Sequence, residues 1–230
     1  MQQQLPRLEA VEHAVHIREL GRTDEAISIL IPVVESCTEL SDLADARGEL
    51  AVCYKHKFQK TKDRQFLQKL GKVAMAGMLM NISEVEKAKF NLRMGDYCVL
   101  AGETPNAGAY YRRAYELVVG TIEEAEYAGH LAEYLASIGE IKEACTLISE
   151  ALWQLHNREK AFEPRHYLII RSGMYARKVG IDLAAKDYRA AAEAFLHGYT
   201  LAWRLAWYHW YPERRRQYHQ AILDKLLRRR

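Results

Sequence analysis

Cys53 and His56, in the run AVCYKHKF, stand three residues apart. On a helix that spacing puts a thiolate and an imidazole on one face, where both can reach a metal ion. A structural zinc site needs four such ligands, and no second pair is spaced to complete it; His13 and His16 meet the same obstacle. The motifs that carry metalloprotease, nucleotide-binding or nucleophile-elbow chemistry, HExxH, GxxxxGK[ST], GxGxxG and GxSxG, do not occur. No metal, cofactor or catalytic residue is therefore expected. Cys37, Cys53, Cys98 and Cys145 form no CxxC pair and read as small, reduced hydrophobes.

The second chemistry on offer is anion binding. The formal charge is +3, but residues 213–230 hold seven Lys/Arg against two Asp/Glu, a local +5 that leaves −2 on the other 212 residues. Arg214, Arg215 and Arg216 and Arg228, Arg229 and Arg230 bracket this segment, beside Trp203, Trp207, Trp210 and Tyr211. Clustered arginine neutralises phosphates and aromatic rings stack on bases, so a nucleic acid is one candidate partner. Against it, no RRM, KH or helix-turn-helix signature accompanies the cluster, and cations at a helix end also complement the helix dipole. The aromatic residues step by four, four and three from Tyr199, which is one helix face. Such a stripe is core under an end-cap helix, or an interaction surface for a partner or a second copy of the chain, making a homo-oligomer.

These side chains must be positioned by helices. Apolar residues recur at steps of three and four throughout, with no strand-like alternation, so the chain is expected to be all-α. No run of 18 apolar residues occurs and MQQQLPRLEAVEHAV lacks the apolar core of an export signal, so a cytoplasmic protein with no membrane span is expected. Helical hairpins are read at about 5–36, 38–81, 83–120, 121–160 and 164–200, with a capping segment at 201–230, as one domain over 1–230. Within the first hairpin, Thr23 is a candidate cap, and Pro32 should bend or shorten the second helix. In the second, KHKFQKTKDR reads as a long basic connector. Ser83-x-x-Glu86 and Thr121-x-x-Glu124 both have capping-box spacing, and Gly120 should end the helix between them.

The most informative stretch is MGDYCVLAGETPNAGAYYRRAYEL, residues 94–117. Small residues at Gly95, Ala107 and Ala114 permit close approach of two antiparallel helices, and Tyr111 fills the groove between them. With Phe90 and Cys98, this spacing resembles the tetratricopeptide repeat, and Leu131, Ala132, Leu135, Gly139, Ala144, Ile148 and Ala151 fit the same template. The resemblance implies an α-solenoid of about five hairpins whose first helices line a groove for a peptide or partner helix. It places Lys89, Arg93, Asp96, Glu126, His130 and Glu133 in that groove. Lys89 and Arg93 are similar to the two basic positions of a carboxylate clamp, but Val11 and Val15 stand where a clamp needs polar residues. The implied function is a non-catalytic protein–protein scaffold or adaptor.

Overall fold

The computed structural model describes residues 7–204, with side chains from Glu9 onward. Among these residues there are ten α-helices, one short 3-10 turn and no strand. They divide into two compact units, residues 1–117 and 118–230. Each unit is a set of helical hairpins packed neighbour against neighbour, so the fold is all-α and of the α-solenoid class.

Unit 1 contains α1 (Arg7–Glu19) and α2 (Thr23–Ser36), α3 (Leu40–Thr61) and α4 (Arg64–Met78), and α5 (Glu84–Ala101) and α6 (Thr104–Glu116). Each hairpin is closed by a residue with positive φ: Gly21 at 82°, Lys62 at 59° and Gly102 at 85°. Ala14, Ile17, Ala26, Leu30, Leu50, Ala51, Cys53 and Leu70 form one core, each at most 4% exposed. Each large aliphatic group there stabilises the fold by about 1.5–3 kcal/mol. Between α4 and α5 the fit depends on Gly77, because a Cβ there would overlap the ring of the fully buried Phe90. Between α5 and α6, a Cβ on Gly95 would lie 3.0 Å from the Tyr111 ring, as the small-residue pattern predicts.

Several local expectations are corrected here. The KHKFQKTKDR segment is not a long connector: α3 runs through it to Thr61, and Lys62 and Asp63 alone reverse the chain. Lys62 takes the left-handed conformation usually left to glycine, and Asp63 caps α4 by accepting from the Gln65 N–H at 2.9 Å. Pro32 does not end α2, which continues to Ser36, where Cys37 N–H donates to Val33 O. Thr23 begins α2 but Arg22 occupies the cap position, with no side-chain bond. Ser83 and Glu86 do form the capping box.

Unit 2 contains α7 (Glu124–Ser137) and α8 (Ile141–Asn157), then α9 (Pro164–Ala184) and α10 (Tyr188–Arg204). Leu135, Ile148, Leu155, Met174, Val179 and Ile181 are at most 1% exposed. Gly139 at φ 92° and Lys186 at φ 62° close the two hairpins. Thr121 and Glu124 make no capping box. Gly120 N–H donates to Glu124 Oε2 at 2.9 Å, and Arg158 Nη1 donates to Thr121 O at 2.6 Å, so the turn before α7 is held by a residue from the end of α8. Gly120 itself lies four residues beyond the end of α6, at the close of a run of turns.

Candidate functional site

In unit 1, α3 packs flank to flank with both α1 and α5, while α2, α4 and α6 are the second helices of their hairpins. The polar side chains of these three first helices meet in a chain of ion pairs. Arg18 on α1 donates to Glu49 on α3 at 3.2 Å, and Lys55 on α3 donates to Asp96 on α5 at 2.8 Å. Lys89 on α5 reaches Asp45 on α3, its stem running over Gly48, where a Cβ would lie 3.0 Å from the lysine Cδ. A glycine in mid-helix costs about 1 kcal/mol, and here it admits that crossing.

Asp96 is the hub. Only 5% exposed, it accepts from Lys55, from Arg93 Nη1 at 2.7 Å and from the Tyr111 hydroxyl at 3.1 Å on α6. Burial alone would raise its carboxyl, but the charges of Lys55 and Arg93 and their hydrogen bonds outweigh it and hold the group below the ordinary aspartate value. Arg18 is likewise desolvated, yet Glu49 and Glu19 raise its guanidinium above its usual value. Arg18, Lys55, Lys89 and Arg93 thus balance Glu19, Asp45, Glu49 and Asp96, four against four. The face is polar but neutral in sum.

The expected groove residues fall into two groups. Lys89, Arg93 and Asp96 are brought together, but Asp96 is buried and Arg93 is turned onto it, so neither stands outward as expected. Lys89 with Asp45 is the accessible pair, at 26% and 43% side-chain exposure. In unit 2, His130 on α7 is also buried rather than outward-facing. Its Nε2 lies 2.6 Å from Arg177 Nη2 on α9; a guanidinium only donates, so Nε2 accepts. Arg177 Nε lies 3.4 Å from the exposed Glu133, while Glu126 is half-buried. Gly129 makes room for Met174 at this crossing.

Asp45, Lys55, Arg177 and the donation from the Tyr111 hydroxyl were not anticipated. Gly48 and Gly129, small in the middle of helices, were the signals of these close crossings in the sequence. No group of three His, Cys, Asp or Glu positioned to hold a metal ion occurs among the described residues, so Cys53 and His56 gain no further ligands there. Trp203 is 60% exposed and Tyr199 39%, their rings edge to face at 6.1 Å. Trp207, Trp210, Tyr211, Arg214, Arg215, Arg216, Arg228, Arg229, Arg230 and the other residues of the capping segment from 205 onward lie outside the described residues, while 201–204 are the last turn of α10.

Hairpins whose first helices share a face, with small residues at the contacts, define a tetratricopeptide-like helical-repeat protein. The nearly identical TPR-like repeats from Podosopora anserina superpose on this chain with a TM-score of 0.50 at 14% identity, covering 84% of it and 93% of that chain. A single-substitution variant of those repeats gives 0.51 at 14% identity, covering 84% and 92%. A thermophilic TPR protein of Thermus thermophilus aligns at 21% identity over 65% of this chain and 91% of its own, with a TM-score of 0.43. No family model and no curated protein sequence matches the chain. The likeness is one of fold. Among the described residues no helix is long and apolar enough to cross a membrane.

Proposed function

We propose that the chain is a non-catalytic scaffold or adaptor, acting in the cytoplasm, that holds a peptide or partner helix on the shared face of α1, α3 and α5. The supporting observation is the ion-pair chain Arg18–Glu49, Lys55–Asp96 and Lys89–Asp45, which ties three successive first helices together through their side chains. A face fixed in this way costs a ligand little ordering of the receptor. Because the face is neutral in sum, it does not select a ligand by net charge. It selects by the order of charges along it, with Lys89 and Asp45 as the pair a ligand can open at about 0.2–1 kcal/mol. Glu126, His130 and Glu133 belong to the corresponding first-helix face of unit 2, where Arg177 fixes His130 and Glu133 in the same manner.

The test follows from the pairing. Reversing Lys89 alone would leave Asp45 beside a second carboxylate, whereas the swapped pair Asp45→Lys with Lys89→Asp keeps the bridge and inverts its order. A partner recovered with the wild-type chain should bind the swapped chain at least tenfold more weakly, measured by calorimetry. Unchanged affinity, with helix content preserved, removes the partner from this face.

A further inference from the structure

Unit 1 is neutral over its whole length but not evenly so. Residues 7–49 hold four Lys/Arg and ten Asp/Glu, and residues 55–72 hold seven Lys/Arg and one Asp. The second of these runs is gathered into the end of one hairpin: the last turns of α3, the two-residue reversal, and the first half of α4. Lys55 and Lys57 are spoken for by Asp96 and Asp24. Lys60, Lys62, Arg64, Lys69 and Lys72 are all exposed, and none has a carboxylate within ion-pairing distance among the described residues.

Lys60 and Lys62 complement the dipole at the C-terminus of α3, but Arg64, Lys69 and Lys72 in the first half of α4 complement no helix end, and the five repel one another. Arg64, Gln65, Gln68, Lys69 and Lys72 fall on one exposed face of α4, spanning about 12 Å along its axis. Gln59 extends it onto the end of α3. The aromatic rings beneath are already covered: Lys57 and Lys69 lie over Phe66 at 5.5 and 5.6 Å, Lys69 over Tyr54 at 5.6 Å, and Lys62 over Phe58 at 5.9 Å. No ring is offered to a base or to a peptide anchor.

We propose that this α3–α4 end is a docking surface for the phosphate backbone of a nucleic-acid duplex. Cationic groups with side-chain amide donors between them are what phosphate and sugar oxygens require. Lysine is depleted where proteins bind proteins, and between residues 59 and 72 the patch holds no exposed apolar or aromatic anchor. With the rings covered, binding reads no base and is independent of sequence. This surface is separate from the first-helix face above and stands or falls independently of it.

The experiment measures anisotropy of a labelled duplex of about 20 base pairs with the full chain from about 50 to 200 mM salt. Four to five phosphate contacts make the association constant fall about 100- to 500-fold over that range. Because the C-terminal arginines could bind the same probe, the comparison is made in a chain with Arg214, Arg215, Arg216, Arg228, Arg229 and Arg230 all changed to Gln. In that background, Lys62→Gly with Lys69→Gln and Lys72→Gln should weaken binding at the low-salt end at least tenfold and reduce the salt dependence by about three contacts. Binding that vanishes with the arginine changes alone and ignores the lysine changes assigns the probe to the C-terminal segment and overturns the proposal. So does a lysine dependence seen with poly-glutamate, or with phosphatidylserine vesicles that Met75 on α4 and Leu79 at its C-cap would enter, but not with the duplex.

Discussion

Asp96 illustrates how one buried carboxylate can organise a face without taking part in its chemistry. Two cations and a phenol converge on it from α3, α5 and α6, and the two cations lose the negative charge they face if it is neutralised. Changing Asp96 to Asn keeps the shape but removes a buried negative charge beside Lys55 and Arg93, whose side chains are 17% and 14% exposed. A loss of about 3 kcal/mol is expected, at the low end for breaking a buried pair because both cations retain some water. The pH dependence has a definite sign. Asp96 is held below its unfolded value, so its contribution is complete above about pH 4 and is lost as pH falls through the lowered folded value. Urea unfolding of the wild type should therefore show a steeper loss of stability below about pH 4 than the Asn variant, and parallel acid limbs would show that Asp96 is not the group responsible. Lys89 and Arg93 were legible as an i, i+4 pair. Their partners were not, since Asp45 is 44 residues from Lys89 and Lys55 is 41 from Asp96, separations that only the packing register of α3 on α5 brings together.

At the level of helices, the hairpins were legible wherever small residues mark the contacts and glycine marks the reversal, as at Gly95, Ala107 and Gly102. The reversal of the second hairpin was not, because it has no glycine. A run of Lys, Gln and Thr reads as a connector when nothing breaks it, yet the same residues are good or tolerable helix formers once Tyr54 and Phe58 bury one side of α3. The misreading at Thr121 has a different cause: the capping spacing is local, whereas Glu124 is claimed by Gly120 and Arg158. Lys62 also yields a direct test of the reversal. A lysine at φ 59° gives up about 1 kcal/mol relative to glycine. Lys62→Gly should therefore raise the stability of the chain by about that amount in urea unfolding, although it removes a cation–π contact with Phe58 that is worth less at an exposed site. A destabilised variant would mean that the reversal is held by the lysine side chain rather than strained by its backbone. Gain in stability with loss of duplex binding in the same substitution would mark this position as one where charge is kept at the expense of backbone ease.

For the molecule as a whole, a fold shared at 14% identity shows how little sequence a helical-repeat architecture prescribes: small residues at crossings, a large one between them, and a reversal. What such an architecture does prescribe is where cooperativity resides, because each hairpin packs chiefly on its sequence neighbours. The packings of α1 to α6 on one another build a buried core within residues 7–116, and those of α7 to α10 build another within 124–204. The chain carries a built-in probe of this division. Its four tryptophans, Trp153, Trp203, Trp207 and Trp210, all fall in residues 118–230, so tryptophan fluorescence reports on the second unit alone while far-ultraviolet circular dichroism reports on both. If the units unfold independently, the two signals will trace different urea transitions, and residues 1–117 expressed alone will reproduce the component that fluorescence does not see. If the two curves superimpose at every urea concentration, cooperativity extends across the whole chain, and a ligand held by one unit would stabilise the other through the same linkage.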